Sequence, residues 1–273
     1  MRKSLLVLLL ATAVGCQSIS AGAAGLKIVQ TKITIATKEK KAEPKSVDRK
    51  HKAVLLENEY LQVYVMPQIG GRVYRAIFKP TGKDLFFWNK LLTKDDVHNF
   101  SGLTFNFPAL EHAMGYVPWK YKISKKSDSV TITESCVIDE KFPIVYSWFD
   151  KKGYKGPTFK ITEDITLEKG RSYIKIHTKL ENLTDEERAF QYWLNSLHDT
   201  FDNTEFLIFT EWMIGHGGGF KFKDGRRLPS TWEDAFSWPV HRGVDLSRQK
   251  NWNAANGMFA VDYKYDYTGV YHH

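Results

Sequence analysis

Hydrophobic and polar residues alternate along most of this chain with a period of two. Leu61, Val63 and Val65 alternate with Gln62, Tyr64 and Met66, and a second alternating run covers residues 73–78. This is the period of a strand with one buried face. Between the two runs, Pro67-Gln68-Ile69-Gly70-Gly71 breaks the ladder, because proline lacks a donor and paired glycines accept positive φ. The pattern predicts a β-hairpin within residues 54–78, with Arg72 emerging from its turn. Residues 27–37 predict a further strand. Residues 38–52 (KEKKAEPKSVDRKHK) have a proline and no apolar period, and read as a solvated linker. Contact with an anionic glycan or a lipid head is the sharper alternative.

After the turn Thr81-Gly82-Lys83-Asp84, residues 85–89 predict a short apolar strand, and residues 104–108 another. A series follows at 119–124, 129–138, 158–168 and 173–182, with Lys169-Gly170-Arg171 as a hairpin turn. Segments 189–195 and 205–211 continue it. No long amphipathic helix and no fixed repeat is present. Residues 213–257 mix glycines, aromatics and polar residues without a period and read as long loops, which in compact domains tend to carry function. Trp232, Trp238 and Trp252 argue there against disorder. Residues 258–271 return to strand alternation and stop at His272-His273, which predicts either a natural edge or a truncated product.

Composition changes this picture in two places. With 42% hydrophobic and 26% charged residues, the 273-residue chain is globular and disorder throughout is excluded. Its 14% aromatic share suits strands, and equally a surface that stacks on sugars. The N-terminus is a processing signal: Arg2 and Lys3 precede an apolar run, Leu5 to Leu10, too short to span a bilayer. Ala13-Val14-Gly15-Cys16 resembles a bacterial lipobox, with Cys16 as the lipidated residue and residues 17–26 as tether; a soluble signal cut near Ala24 is the alternative. The lipobox reading predicts an envelope protein anchored in the membrane through lipid. Gln17 in place of aspartate points to the outer membrane. Removing residues 1–15 takes away Arg2 and Lys3, so the formal net charge of +8 falls to +6. Cys136 is then the one cysteine of the folded part and reads as a small buried hydrophobe. No nucleic-acid motif accompanies the lysines, so nucleic acid is not expected as a partner.

The stretch LLENEYLQVYVMPQIGGRVYRAIFKPTGKDLFFWN, followed by FSGLTFNFP, resembles the signature of a family of galactose-mutarotase-like proteins related to aldose epimerases. The first segment matches almost continuously over its length. The resemblance extends over residues 53–271 and implies an all-β fold, a two-sheet antiparallel β-supersandwich with ligand lying across the concave sheet. It implies carbohydrate as the ligand; no cofactor is expected. Aldose epimerases carry a histidine in a short His-Thr-Tyr-Phe-Asn-like strand. The strand here that most resembles it, Gln191-Tyr192-Trp193-Leu194-Asn195, has none, and His198 follows three residues later.

Mutarotation needs a base for the anomeric hydroxyl, an acid for the ring oxygen, and groups that hold the other hydroxyls. A carboxylate with an imidazole suits, since their unperturbed pKa values straddle neutral pH. Three constellations offer this. Glu111-His112 follows the Asn-Phe-Pro strand, His198-Asp199 follows Trp193 and Asn195, and Glu211-Trp212 precedes His216 in a glycine-rich run. Each also reads as ordinary loop or turn chemistry. Glu111, His112, His198 and Glu211 are the catalytic candidates; Arg72, Asn106, Trp193, Asn195, Trp212 and His216 are the substrate-binding ones. Arg72 reads equally as a brace for its own turn, and Trp88 and Trp193 as core. His216 lacks a second ligand at metal-binding spacing, so no metal site is expected. Two functions stand from the sequence: a carbohydrate-binding envelope protein with epimerase-like acid/base chemistry, or a non-catalytic glycan-binding or scaffold module.

Overall fold

The computed structural model describes residues 3–10, 25–93, 101–107, 117–139, 158–190, 192–215, 235–252, 258–262 and 268–272. The chain forms two compact units, Met1–Leu197 and His198–His273. Glu111, His112, His216, Cys16 and Trp232 lie outside the described residues.

The first unit is a sandwich of two sheets. Its strands are β1 (Lys3–Leu10), β2 (Lys27–Lys38), β3 (Val47–Glu57), β4 (Leu61–Met66), β5 (Arg72–Phe78), β6 (Lys83–Asp84) and β7 (Leu91–Thr93). They continue with β8 (Leu103–Asn106), β9 (Lys120–Lys125), β10 (Ser129–Ile138), β11 (Phe159–Glu168), β12 (Tyr173–Asn182) and β13 (Trp193–Ser196). One sheet runs β1-β12-β11-β10-β9; the other runs β13-β8-β5-β4-β3-β2-β7, with β6 beside β5. Every pairing is antiparallel except that of β2 with β7. The segment expected as a leader, Lys3–Leu10, pairs along β12 from Lys3 opposite Leu180 to Leu10 opposite Tyr173.

Alternation builds the core between the sheets. Leu61, Val63 and Val65 from one side meet Val130, Ile132, Ile161, Ile165 and Ile176 from the other, with Phe105, Phe107 and Trp119 filling the middle. At roughly 25 cal/mol per Å² of apolar surface removed from water, such side chains are each worth about 1.5–3 kcal/mol. The two sheets are also stapled at one corner by the Glu57-Asn58-Glu59-Tyr60-Leu61 stretch. Asn58, fully buried, donates through Nδ2 to the carbonyls of Glu168 and Arg171 at 2.8 and 2.7 Å. Its Oδ1 accepts from the backbone N–H groups of Tyr60 and Leu61. The Glu59 carboxylate accepts from the N–H of Gly170, in the turn of the β11–β12 hairpin.

Local geometry explains the expected hairpin. Gly70 and Gly71 both have positive φ, and a Cβ on Gly71 would lie 2.9 Å from Trp119 Cδ2. The turn therefore packs flat against Trp119, whose backbone N–H donates to the carbonyl of Pro67. Arg72 is 3% exposed and its Nε donates to the Ile69 carbonyl at 3.0 Å, the bracing role.

Three expectations change. The supposed linker 38–52 ends at Val47, where β3 begins, and Lys50 and Lys52 lie opposite Thr34 and Lys32 of β2. The β2–β3 ladder simply outruns the core, so its polar end kept no apolar period. Residues 85–89 are not a strand. Leu85 N–H donates to Ala76, Phe87 N–H to Leu197 and Asn89 N–H to Ser101 Oγ, so the segment's bonds go to three separate partners. Last, the region 213–257 holds strands rather than long loops alone.

That region belongs to the second unit: β14 (Thr204–Ile208), β15 (Trp212–Gly215), β16 (Ala235–Ser237), β17 (Val240–His241), β18 (Val244–Asp245), β19 (Met258–Val261) and β20 (Thr268–His272), with a 3-10 turn at Gln249–Asn251. It has its own core of Met213, Phe236, Trp238, Leu246 and Trp252. Both buried indoles are satisfied: Trp238 Nε1 donates to Ile208 and Trp252 Nε1 to Leu246, each at 2.9 Å.

Candidate functional site

Strand register decides which candidates meet. β13 lies antiparallel to β8 with Trp193 opposite Asn106 and Asn195 opposite Thr104, and directly opposed residues share a face. Leu194 opposite Phe105 takes the other face, toward the inter-sheet core. On β5, Val73 opposite Leu103 also faces that core, so Arg72, opposite Met66, and Tyr74 face outward with Thr104. The outward face of the larger sheet thus has two halves. Over β2, β3 and β4 it is apolar: Ile33, Ile35, Ala53 and Met66, with Leu92 and Tyr74 of the neighbouring β5 packed on them. Over β5, β8 and β13 it presents Arg72, Thr104, Asn106, Asn195 and the Trp193 indole.

This polar half is tightly held. Gly102 leads into β8 at φ +65°, where a Cβ would meet the Val73 carbonyl oxygen, and Asn106 is 1% exposed. Asn106 Nδ2 donates to the Trp193 carbonyl at 3.4 Å. The Thr104 hydroxyl is buried and finds no partner among the described residues. Such a group costs free energy until something bonds it.

His198, Glu211 and Trp212 belong to the second unit. His198 opens the second unit and is half-buried, and Glu211 is exposed just before β15. Trp212, the first residue of β15, is 49% exposed, in keeping with a contact surface rather than core. Trp88 is partly buried, with the Arg75 guanidinium 3.8 Å above its ring. His177 stands half-exposed, 3.7 Å from Asp164. Cys136 is buried, which pushes its thiol up to about 12 and makes it an inert hydrophobe. Among the described residues no group of three His, Cys, Asp or Glu side chains is placed to hold a metal.

The feature missed from the sequence is a carboxyl pair inside the sandwich. Glu134 and Glu163 face each other across β10 and β11, and both have 0% exposure. Burial pushes Glu163 up to about 8, against the opposing hydrogen bonds from Thr178 and Tyr192. Thr178 Oγ1 donates to it at 2.6 Å and Tyr192 OH at 3.2 Å. Burial, then the charge of Glu163, holds Glu134 well above the usual carboxylate range. Neither Glu134 oxygen has a partner among the described residues, and the same is true of Trp119 Nε1. At neutral pH the pair is largely protonated, since two buried charges at this range would repel each other. The signal was available: Val130, Ile132, Cys136 and Ile138 alternate inward, and Glu134 occupies the same parity.

An all-β sandwich with one polar-faced sheet, extended by a small β unit, is the class these features define. The chain belongs to the family described as Domain of unknown function (DUF5107), whose profile matches residues 37–273. Among solved structures it is similar to a TPR-domain containing protein from Parabacteroides distasonis, at 12% identity and a TM-score of 0.62, over 82% of this chain and 38% of that one. It is also similar to a galactose mutarotase-like protein from Clostridium acetobutylicum, at 17% identity and a TM-score of 0.48, over 80% of this chain and 67% of that one. A galactose 1-epimerase from Lactobacillus acidophilus aligns at 13% identity and a TM-score of 0.42, over 70% of this chain and 59% of that one. At such identities the likeness speaks for the fold alone, and the chain spans little more than a third of the first of these proteins.

Proposed function

We propose that this protein binds carbohydrate on the polar half of the larger sheet's outward face. The observation that carries the reading is the opposed pair of pairs, Trp193 with Asn106 and Asn195 with Thr104, on one face. Trp193 and Asn195 are both part-exposed: an indole offers a flat apolar surface for the C–H face of a sugar ring, while the Asn195 amide offers both donors and an acceptor to its hydroxyls. The test is an NMR and polarimetric screen of the purified protein against neutral monosaccharides and oligosaccharides. Trp193→Ala and Asn195→Ala are each expected to weaken the best binder about tenfold or more, the worth of one well-made contact. Unchanged affinity in both variants sinks the reading. Mutarotation faster than the blank would extend it to epimerisation, with His198 and Glu211 the first residues to replace.

Export with lipid attachment at Cys16 belongs to the same proposal: it puts the mature protein in a bacterial envelope, at the outer membrane, without β1 and with β12 as the edge of its sheet. It is supported by the basic, apolar and small-residue order of residues 2–16. Labelling of cells with a clickable palmitate analogue is expected to mark the protein, and Cys16→Ala to abolish the mark. A mature N-terminus other than Cys16, read by mass spectrometry, rejects it.

A further inference from the structure

We propose a second binding site, for an acidic oligosaccharide, in a lysine-lined groove at the open edge of the sandwich. It rests on the groove alone and is independent of the neutral-sugar face described above. The groove encloses about 500 Å³ and is lined by Gln30, Lys32, Lys50, Lys52, Gln68 and Tyr121, among others. Such a volume falls in the range of ordinary ligand sites.

Its position follows from register. Leu26, just before β2, and Ile28 within it point into the inter-sheet core, so Gln30, Lys32 and Thr34 continue on that face past the core's end. Lys32 lies directly opposite Lys52, and Thr34 directly opposite Lys50, so all three ammonium groups rise from one face. The other wall is β9, every residue of which is exposed. Tyr121 lies opposite Glu134, on the inward face, and is 37% exposed. The ring thus lines a cleft whose floor carries three cations.

Charge selects the guest. Like charges directly opposed on a strand pair destabilise it, and no described residue lining the groove is acidic. Lys32, Lys50 and Lys52 form no ion pair with a described residue. An anion bridging the opposed lysines relieves that repulsion and gains charge-assisted hydrogen bonds. The remaining lining chooses among polyanions. Gln30, Gln68 and the threonines suit a hydroxyl-rich chain, and a lone tyrosine suits one sugar face. Nucleic acid asks for a series of stacking rings along its path, and the groove supplies one. A concave cleft likewise suits a chain better than the flat surface of a bilayer. Carboxylate and sulfate are equivalent to three ammoniums, so the shared chemistry is an anionic group repeated along a sugar chain.

The experiment is titration calorimetry of the full chain with oligogalacturonate and with a sulfated oligosaccharide of similar length. Neutral dextran, a single-stranded oligonucleotide and vesicles containing phosphatidylserine serve as comparisons. One or both acidic sugars are expected to bind, more weakly as salt is raised, and the better of them names the anion. Lys32→Gln/Lys50→Gln/Lys52→Gln is expected to weaken that binding about tenfold or more, the loss of at least one charge-assisted bond. A reference triple of equal charge loss, Lys83→Gln/Lys126→Gln/Lys169→Gln, is expected to stay within about twofold. Circular dichroism and neutral-sugar affinity should match the parent in both, which separates loss of this site from loss of the fold or of the Trp193 face. Absence of binding by either acidic sugar, equal weakening in the two triples, or tighter binding of the oligonucleotide or the vesicles overturns the proposal.

Discussion

Glu134 and Glu163 make a pH-dependent weakness in the centre of the first unit. Burial raises both above the ordinary carboxylate value, Glu163 to about 8. Between about pH 4.5 and pH 8 folded Glu163 therefore keeps a proton that the unfolded chain has already released. For Glu163 the stability from this source is complete below about pH 4.5, falls as pH rises toward about 8 and levels off beyond it, and Glu134 adds a decline of the same sign. Urea unfolding followed at pH 5, 7 and 9 is expected to show this decline, and Glu134→Gln/Glu163→Gln to flatten it, since an amide keeps the shape and does not ionise. An undiminished decline in the double variant refutes the assignment. Glu168 works in the opposite direction: its bond from Tyr173, with help from Lys175, holds it low, so its contribution fades only under more acid conditions. Gly102 is a second vulnerable position. With φ at +65° and the Val73 carbonyl in the path of a Cβ, Gly102→Ala is expected to exceed the about 1–3 kcal/mol that a strained backbone conformation alone costs. A thermal melt reads it. The glycines of the Gly70-Gly71 turn were interpretable as they stood. Glu134 was visible only to a reader who asked which parity each acid occupied.

Among the strands, those read best are the ones whose alternation is long. β10 and β12 span 129–138 and 173–182, as their patterns predicted. What alternation does not carry is partner choice. The parallel pairing of β7 with β2 and the end of β3 beyond the core depend on segments distant in the chain, and the lysine groove exists because of the second. The resemblance-bearing stretch explains itself only through such contacts. Asn58 ties the approach to β4 to the β11–β12 turn, more than a hundred residues on. Asn58→Ala removes four hydrogen bonds and strands buried backbone groups, each costing about 1–3 kcal/mol when left unpaired. A loss of several kcal/mol in chemical denaturation is expected, whereas a loss under about 1 kcal/mol would show that the corner is held by packing instead.

The two units each own a hydrophobic core, and this gives a prediction about their independence. Trp252→Ala opens a cavity in the smaller one, at a cost of about 3–5 kcal/mol. Amide exchange is expected to quicken across β14 to β20 while β10, β11 and β12 keep their protection. Uniform quickening in both units rejects independent stability. By itself the sequence determined the all-β class, the buried and exposed faces of the long strands, the glycine turn and the inertness of Cys136, because a period of two and a residue's own steric limits are local properties. It also nominated Arg72, Asn106, Trp193 and Asn195. Only the tertiary structure decided that these four share a face, that Arg72 braces its turn, that two carboxyls meet inside the sandwich and that three lysines line one groove. Those are facts of register between strands far apart in the chain, and register is set by how whole sheets pack.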